Sequence, residues 1–370
     1  MHTLAMRSLF ATTQQEVHLN HTIVEDSMRS AGFIRVAFAV VALAACHADT
    51  AIAPSEPKQV DRNPNFPAYL FANYTPVELP GAGTGVVSDI NDGGDAVGIA
   101  DGAGAIWRGA THTKSDLPFI PAAIANDGTI AGNLDGHAVM FKNGQLIPLD
   151  SASSIATAIC GCASETVVGS VEVNGERHAA IWVGGVRIDA GVPAGGTFSE
   201  FTGAANGHFV GNAGVPSIAE DGVFGNIEPQ AFTWSHATGW HELSGGYSAI
   251  SFVTAVNNHG ISVGREGHVL IPNTLGIEFD SQGEIAQFFA SDPQILPEIV
   301  PDAINDSGTM AGISYTFAGG FGSIALVIGP GGGASILPPG NPADSTTSIN
   351  SSNVIGGRSG GKPVLWVPNP

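Results

Sequence analysis

The chain has 370 residues, 50 of them glycine, and 33 acidic against 13 basic residues give a formal net charge of −20. Only 12% are charged and 43% are apolar, which excludes a coiled coil or helical solenoid on one side and a disordered chain on the other. Thirteen scattered basic residues form no basic patch, so nucleic acid is excluded as a partner. What remains is a Gly-rich, turn-rich β protein long enough for a full core.

Residues 1–27 carry Glu16, Glu25 and Asp26 ahead of the first basic, apolar signal. Signal peptides do not begin that way, so the stretch is read as a mis-assigned start or a non-structural extension and left out of the fold. From Met28 a short basic segment leads into ten apolar or small residues, Val36–Ala45. Ten residues are too few to span a bilayer but suit the apolar part of a signal peptide. The run ends Leu43-Ala44-Ala45-Cys46, which resembles a bacterial lipobox. The resemblance implies cleavage before Cys46, acylation of its thiol and export to the periplasm or outer surface on a lipid anchor. Residues 28–45 are therefore the expected signal peptide, and the Pro- and Ala-rich 46–66 a flexible tether.

Residues 67–370 repeat. An apolar residue, a polar turn of Asn, Asp or Gly, and an apolar pair closing on Gly recur as Ile90–Gly98, Ile124–Gly132, Val256–Gly264 and Ile304–Gly312. Degenerate copies close at Gly169, Gly211 and Gly356. The seven closing glycines are spaced by about 43 residues, the length that four short strands and their turns require. A second motif follows each first one: Ala105–Trp107, His137–Phe141, His178–Trp182, Ala231–Trp234 and Pro363–Trp366 are short alternating apolar runs, read as third strands. Asn, Asp and Gly suit the turns because they accept positive φ.

The two motifs together resemble the bacterial HAF family of extracellular repeats, in which an Ile-Asn-x-x-Gly hairpin precedes a His-Ala-Phe-like strand. The resemblance covers roughly residues 65–370 and transfers no biochemical activity. Repeat 3 departs from it at Cys160-Gly-Cys162, and repeat 4 at Gly203. The last repeat stops after its third strand at Trp366–Pro370, and the unassigned Tyr69–Leu79 ahead of the first repeat supplies a missing fourth. The expected fold is therefore all-β: a seven-bladed propeller of four-stranded antiparallel blades, its ring closed by an N-terminal strand.

Candidate chemistry is sparse. His137 and His178 recur at one place in the repeat, which points to packing within each blade and not to a metal. Asp89–Asp95 is acidic enough to raise calcium, but hairpin turn chemistry accounts for it without an ion. No catalytic residue, metal or cofactor is assigned, since no nucleophile elbow or paired acid and base stands out. Cys160 and Cys162 are expected to form a local disulfide in an exported protein. Repeats 4, 5 and 6 lengthen the connection between second and third strands, at 212–229, 265–274 and 314–321. In a propeller these connections share one face, and Glu220, Asp221, Phe224, Arg265, Glu266, Tyr315 and Phe321 form the candidate binding face. The expectation is a non-enzymatic binding or scaffold module for a protein or glycan at the cell envelope. The alternative is an exported propeller lyase or hydrolase acting on polysaccharide or peptide.

Overall fold

Short runs of β-branched and aromatic residues between Asn-, Asp- and Gly-rich turns satisfy their backbone groups by antiparallel pairing with the next run. The computed structural model describes residues 71–370 apart from 163–164, 219–223, 244–249, 268–273, 281–282, 289–297, 317–321 and 342. There the chain forms 28 strands, β1–β28, with no helix among the described residues. They assemble into seven four-stranded antiparallel sheets, so the protein is a seven-bladed β-propeller.

The first strand of each repeat is innermost: β2 (Gly85–Ile90), β6 (Ile120–Ile124), β10 (Ser154–Cys160), β14 (Phe198–Ala205), β18 (Ile250–Val256), β22 (Glu298–Ile304) and β26 (Ser345–Ile349). Each touches the inner strands of both neighbours, β26 against β2 included, which makes a closed ring. Blade 7 takes its outer strand from the other end of the domain. There β1 (Tyr74–Glu78) pairs with β28 (Lys362–Pro368) from Tyr74 opposite Pro368 to Glu78 opposite Val364. The expected N-terminal strand closes the ring.

Every inner strand carries a β-bulge at the same place, at Ser88, Ala122, Thr157, Thr202, Thr254, Asp302 and Thr347. The bulge turns one inner-strand carbonyl onto the second strand of the blade, and that contact is why the repeat closes on glycine. A Cβ at Gly98, Gly169 or Gly264 would lie 2.1, 1.9 or 1.9 Å from the carbonyl oxygen of Val86, Ile155 or Phe252. In blade 7 the residue in this position is Gly357, opposite Thr346, where a Cβ would lie 2.1 Å from the Ser345 oxygen. The repeat thus closes at Gly357 and not at the expected Gly356, because two adjacent glycines hide the register.

The core divides into seven apolar clusters, one at each interface between blades. Third-strand aromatics fill them, and Trp107, Trp182 and Trp366 are fully buried. Each indole N–H reaches back to the preceding blade, Trp107 to the Pro80 carbonyl, Trp182 to the Asp150 carboxylate and Trp366 to the Pro338 carbonyl. The Ala of the third-strand motif in blades 2, 3 and 4 is fully buried. Its backbone N–H meets a serine on the next inner strand, as Ala138 to Ser154, Ala179 to Ser199 and Ala231 to Ser251.

Candidate functional site

These serine contacts place the starts of the inner strands beside the hairpins that join second to third strands. The turns after the inner strands lie on the opposite face, where those from blade 5 round to blade 2 clasp one another. Asn257 donates from Nδ2 to the Asn305 carbonyl, Asn305 to that of Asn350, Asn350 to that of Asn91, and Asn91 to that of Ala125, at 3.0–3.2 Å. Each Oδ1 accepts from N–H groups of its own turn, Asn305 from Ser307 and Thr309 for example. The Asn of the repeat motif thus builds its own turn and holds the next one. Its neighbours join in: Asp92 accepts from the Ser351 N–H and the Asn126 amide. Against the cost of partial burial, these bonds hold the Asp92 carboxyl below its ordinary value.

Side chains on the inner ring link every pair of blades. Bulge threonines donate to the next blade's carbonyl: Thr157 to Phe201, Thr202 to Val253, Thr254 to Pro301 and Thr347 to Val87. Blades 2 and 3 are joined by Asn133, whose amide bonds both the N–H and the carbonyl of Ala156. The other two links are acidic. Asp89 accepts from the N–H of its own neighbour Ile90 and from that of Ile124 in blade 2, both at 2.8 Å. Asp302 stands where blades 3, 4, 5 and 7 have threonine and accepts from the Thr346 hydroxyl at 2.9 Å. Burial raises the Asp89 carboxyl to about 6 against the pull of its two N–H donors. Burial likewise raises Asp302 to about 7, opposed by the Thr346 hydroxyl and the charge of Arg265.

The face at the start of the inner strands is lopsided. Blades 1, 2, 3 and 7 trim their second-to-third-strand hairpins to two residues, Asp101-Gly102, Asp135-Gly136, Asn174-Gly175 and Gly360-Gly361, all at positive φ. Blades 4–6 enlarge theirs. In blade 4, β15 (His208–Ile218) and β16 (Phe224–Ser235) have 11 and 12 residues. In blade 5, β19 (Ser262–Gly267) and β20 (Thr274–Asp280) are joined through 268–273. In blade 6, β23 (Met310–Thr316) and β24 (Gly322–Ile328) are joined through 317–321. Beside this sector the inner strand of blade 3 exposes Ile155 (46%), and one blade further on that of blade 2 exposes Ile120 (39%). Charged groups follow on blades 3 to 5. Arg177 pairs with Glu200 at 3.1 Å and lies over the Phe198 ring, while Arg265 lies over the Phe252 ring, 4.7 Å from its centroid.

The candidate binding residues do not all fall in loops, as their sequence context suggested. Arg265 and Glu266 belong to β19, opposite Phe252 and Ser251, and Glu266 is buried. Tyr315 belongs to β23, opposite Glu298, and Phe224 opens β16, opposite Ile218. The reason is one of pairing: the long connections continue the ladder beyond the core instead of leaving it. Glu220, Asp221 and Phe321 lie outside the described residues, as do Cys46 and the tether. Cys160 and Cys162 are joined as a disulfide in the blade 3 turn. His137 bonds the Ala152 carbonyl and His178 the Asp189 carboxylate, each through Nδ1. No group of three or more His, Cys, Asp or Glu suited to a metal occurs among the described residues.

Asp302 and the asparagine clasp carry no separate signal in the sequence, and Asp89 stands out only as part of an acidic turn. Aligning the three residues before each turn marks the two acids: Thr157-Ala-Ile, Thr254-Ala-Val and Thr347-Ser-Ile set a rule that Ser88-Asp-Ile, Ala122-Ala-Ile and Asp302-Ala-Ile break, two of them with an aspartate.

No family model matches the chain, and no curated protein matches it. Solved propellers resemble it in fold. The propeller domain of the trilobed protease from Pyrococcus furiosus superimposes with a TM-score of 0.50 at 11% identity, over 77% of this chain and 94% of that one. That domain has an open velcro topology, whereas β1 closes this ring. Virginiamycin B lyase from Staphylococcus aureus gives 0.48 at 13% identity, over 79% and 98%. A putative TolB from Agrobacterium tumefaciens gives 0.42 at 13%, over 69% and 92%. At these identities the likeness concerns the fold alone.

Proposed function

We propose that this propeller is a non-enzymatic binding or scaffold module of the HAF repeat type. In this reading it is exported, held at the cell envelope by acylated Cys46, and bound to a protein or glycan there. The observation that carries it is the lopsided face. Four consecutive blades use the shortest possible hairpins while the three between them lengthen theirs on the same side. A propeller needs none of that extra length to close, and insertions confined to one sector of a repeat array mark its contact surface. Exposed Ile155 borders that sector with apolar area, and half-exposed Arg177 adds polar selectivity. Replacing residues 215–228 by Asn-Gly tests it. Cross-linked partner recovery from native membranes should be lost while the far-ultraviolet spectrum and melting temperature stay within error. Undiminished recovery refutes the assignment.

A second reading, a lyase or hydrolase, draws on Asp302, an enclosed acid raised to about 7 beside the charge of Arg265. Turnover of polysaccharide or peptide that vanishes in Asp302→Asn would favour it.

A further inference from the structure

We propose that the Cys160–Cys162 bridge is a thiol–disulfide exchange site that accepts two electrons from an external dithiol. The bridge joins residues two apart within one turn, with Cα atoms 5.2 Å apart. It ties together no strands that the ladder does not already join, since Cys160 is the last residue of β10 and pairs with Thr166. So short a loop removes little freedom from the unfolded chain compared with a bridge between distant segments. Its two sulfurs differ in access. Cys160 is buried at 3%, while Cys162 sits half-buried on the turn. Blade 3, like blades 2 and 4 with their Ala125 and Ala205, lacks the clasping asparagine, and Cys160 occupies its place. The turn is held instead by the Glu165 N–H, which donates to the Cys162 carbonyl at 3.3 Å, and by an ion pair of Glu165 with Lys142 of blade 2. The bridge can therefore open without costing a ladder bond or an inter-blade clasp.

The access difference fixes the order of events. A thiolate of the dithiol attacks Cys162 Sγ, the Cys160–Cys162 bond breaks, and Cys160 leaves as a thiolate that takes up a proton. The second thiolate of the dithiol then attacks its partner sulfur in the mixed disulfide and releases Cys162, which is protonated in turn. The dithiol becomes a disulfide, and the protein gains two electrons and two protons.

The test uses the full chain with Cys46→Ser, so that only these two thiols react. It is treated with dithiothreitol in native buffer, quenched with a maleimide and weighed. Two labels on a chain whose tryptophan fluorescence remains native are expected; labelling only after urea unfolds the protein would overturn the proposal. In the same background, the free Cys162 of Cys160→Ser should label at least about tenfold faster than the free Cys160 of Cys162→Ser, as exposure governs thiol reactivity. Equal rates would contradict the order of attack. The double variant Cys160→Ser/Cys162→Ser should unfold at the same urea concentration as its parent, and a clear fall in that midpoint would make the bridge a structural staple.

Discussion

Replacing Asp302 by Asn should make the stability of this propeller less dependent on pH between 5 and 8. In the folded protein the Asp302 carboxyl is raised from an ordinary 3.8 to about 7. Between those values the folded state holds a proton that the unfolded state has released, so stability falls as pH rises through the window. The full difference corresponds to about 4 kcal/mol, at 1.36 kcal/mol for each tenfold step in acidity. Asp302 keeps some exposure, and discounting by half for solvent screening leaves about 2 kcal/mol. The asparagine side chain has nearly the same shape and can still accept from the Thr346 hydroxyl, so the blade 6–7 link survives. Asp89 titrates in the same direction in both proteins and cancels in the comparison. Urea unfolding of both chains at pH 4.5 and pH 8 should show the variant gaining about 2 kcal/mol on the wild type as pH rises. A difference that stays constant would mean the carboxyl is not held up by burial. A gain by the wild type would mean that attraction to Arg265 outweighs burial.

Asn305→Ala should cost about 3 kcal/mol in urea unfolding, because it strands the Ser307 and Thr309 N–H groups and frees the Asn350 carbonyl; a loss below about 1 kcal/mol would show that water replaces the clasp. Gly264→Ala forces a Cβ to within 1.9 Å of the Phe252 carbonyl and should prevent soluble expression or cost at least about 3 kcal/mol. Gly102→Ala, which meets only an unfavourable φ of 84°, should cost about 1 kcal/mol, and equal costs would argue against the bulge contact. Deleting Tyr74–Glu78 leaves β28 as an open sheet edge, and sedimentation should then show concentration-dependent association where the parent shows none.

The number of blades and the closing strand were legible in the sequence because both rest on period and polarity, which a single chain displays directly. The bulges were not legible, since a bulge is a property of register. Thr157, Thr254 and Thr347 look like ordinary strand threonines until the neighbouring blade supplies the carbonyl that each one binds. Glu266 and Tyr315 were misplaced into loops for a different reason. The strands that lead into the long hairpins of blades 4–6 bury polar residues such as Glu266 and Ser314, so the alternation of apolar and polar residues that marks a strand is lost there. Asp302 was invisible as a site because one acid among 33 carries no mark until it appears in a threonine position.

The pairing of β1 with β28 has a consequence for how the molecule breathes. A linear array of repeats frays from its terminal units, each of which has only one neighbour. Here every blade has two, so loosening any one of them sacrifices a pair of apolar clusters and the side-chain links on both sides. Amide exchange along the inner strands should therefore be protected to a similar depth around the whole circle, with no weakest blade from which unfolding starts. Excursions cheap enough to occur often are left to the outer strands and to the long hairpins of blades 4–6, which can shift in shape while the circle beneath them keeps its dimensions.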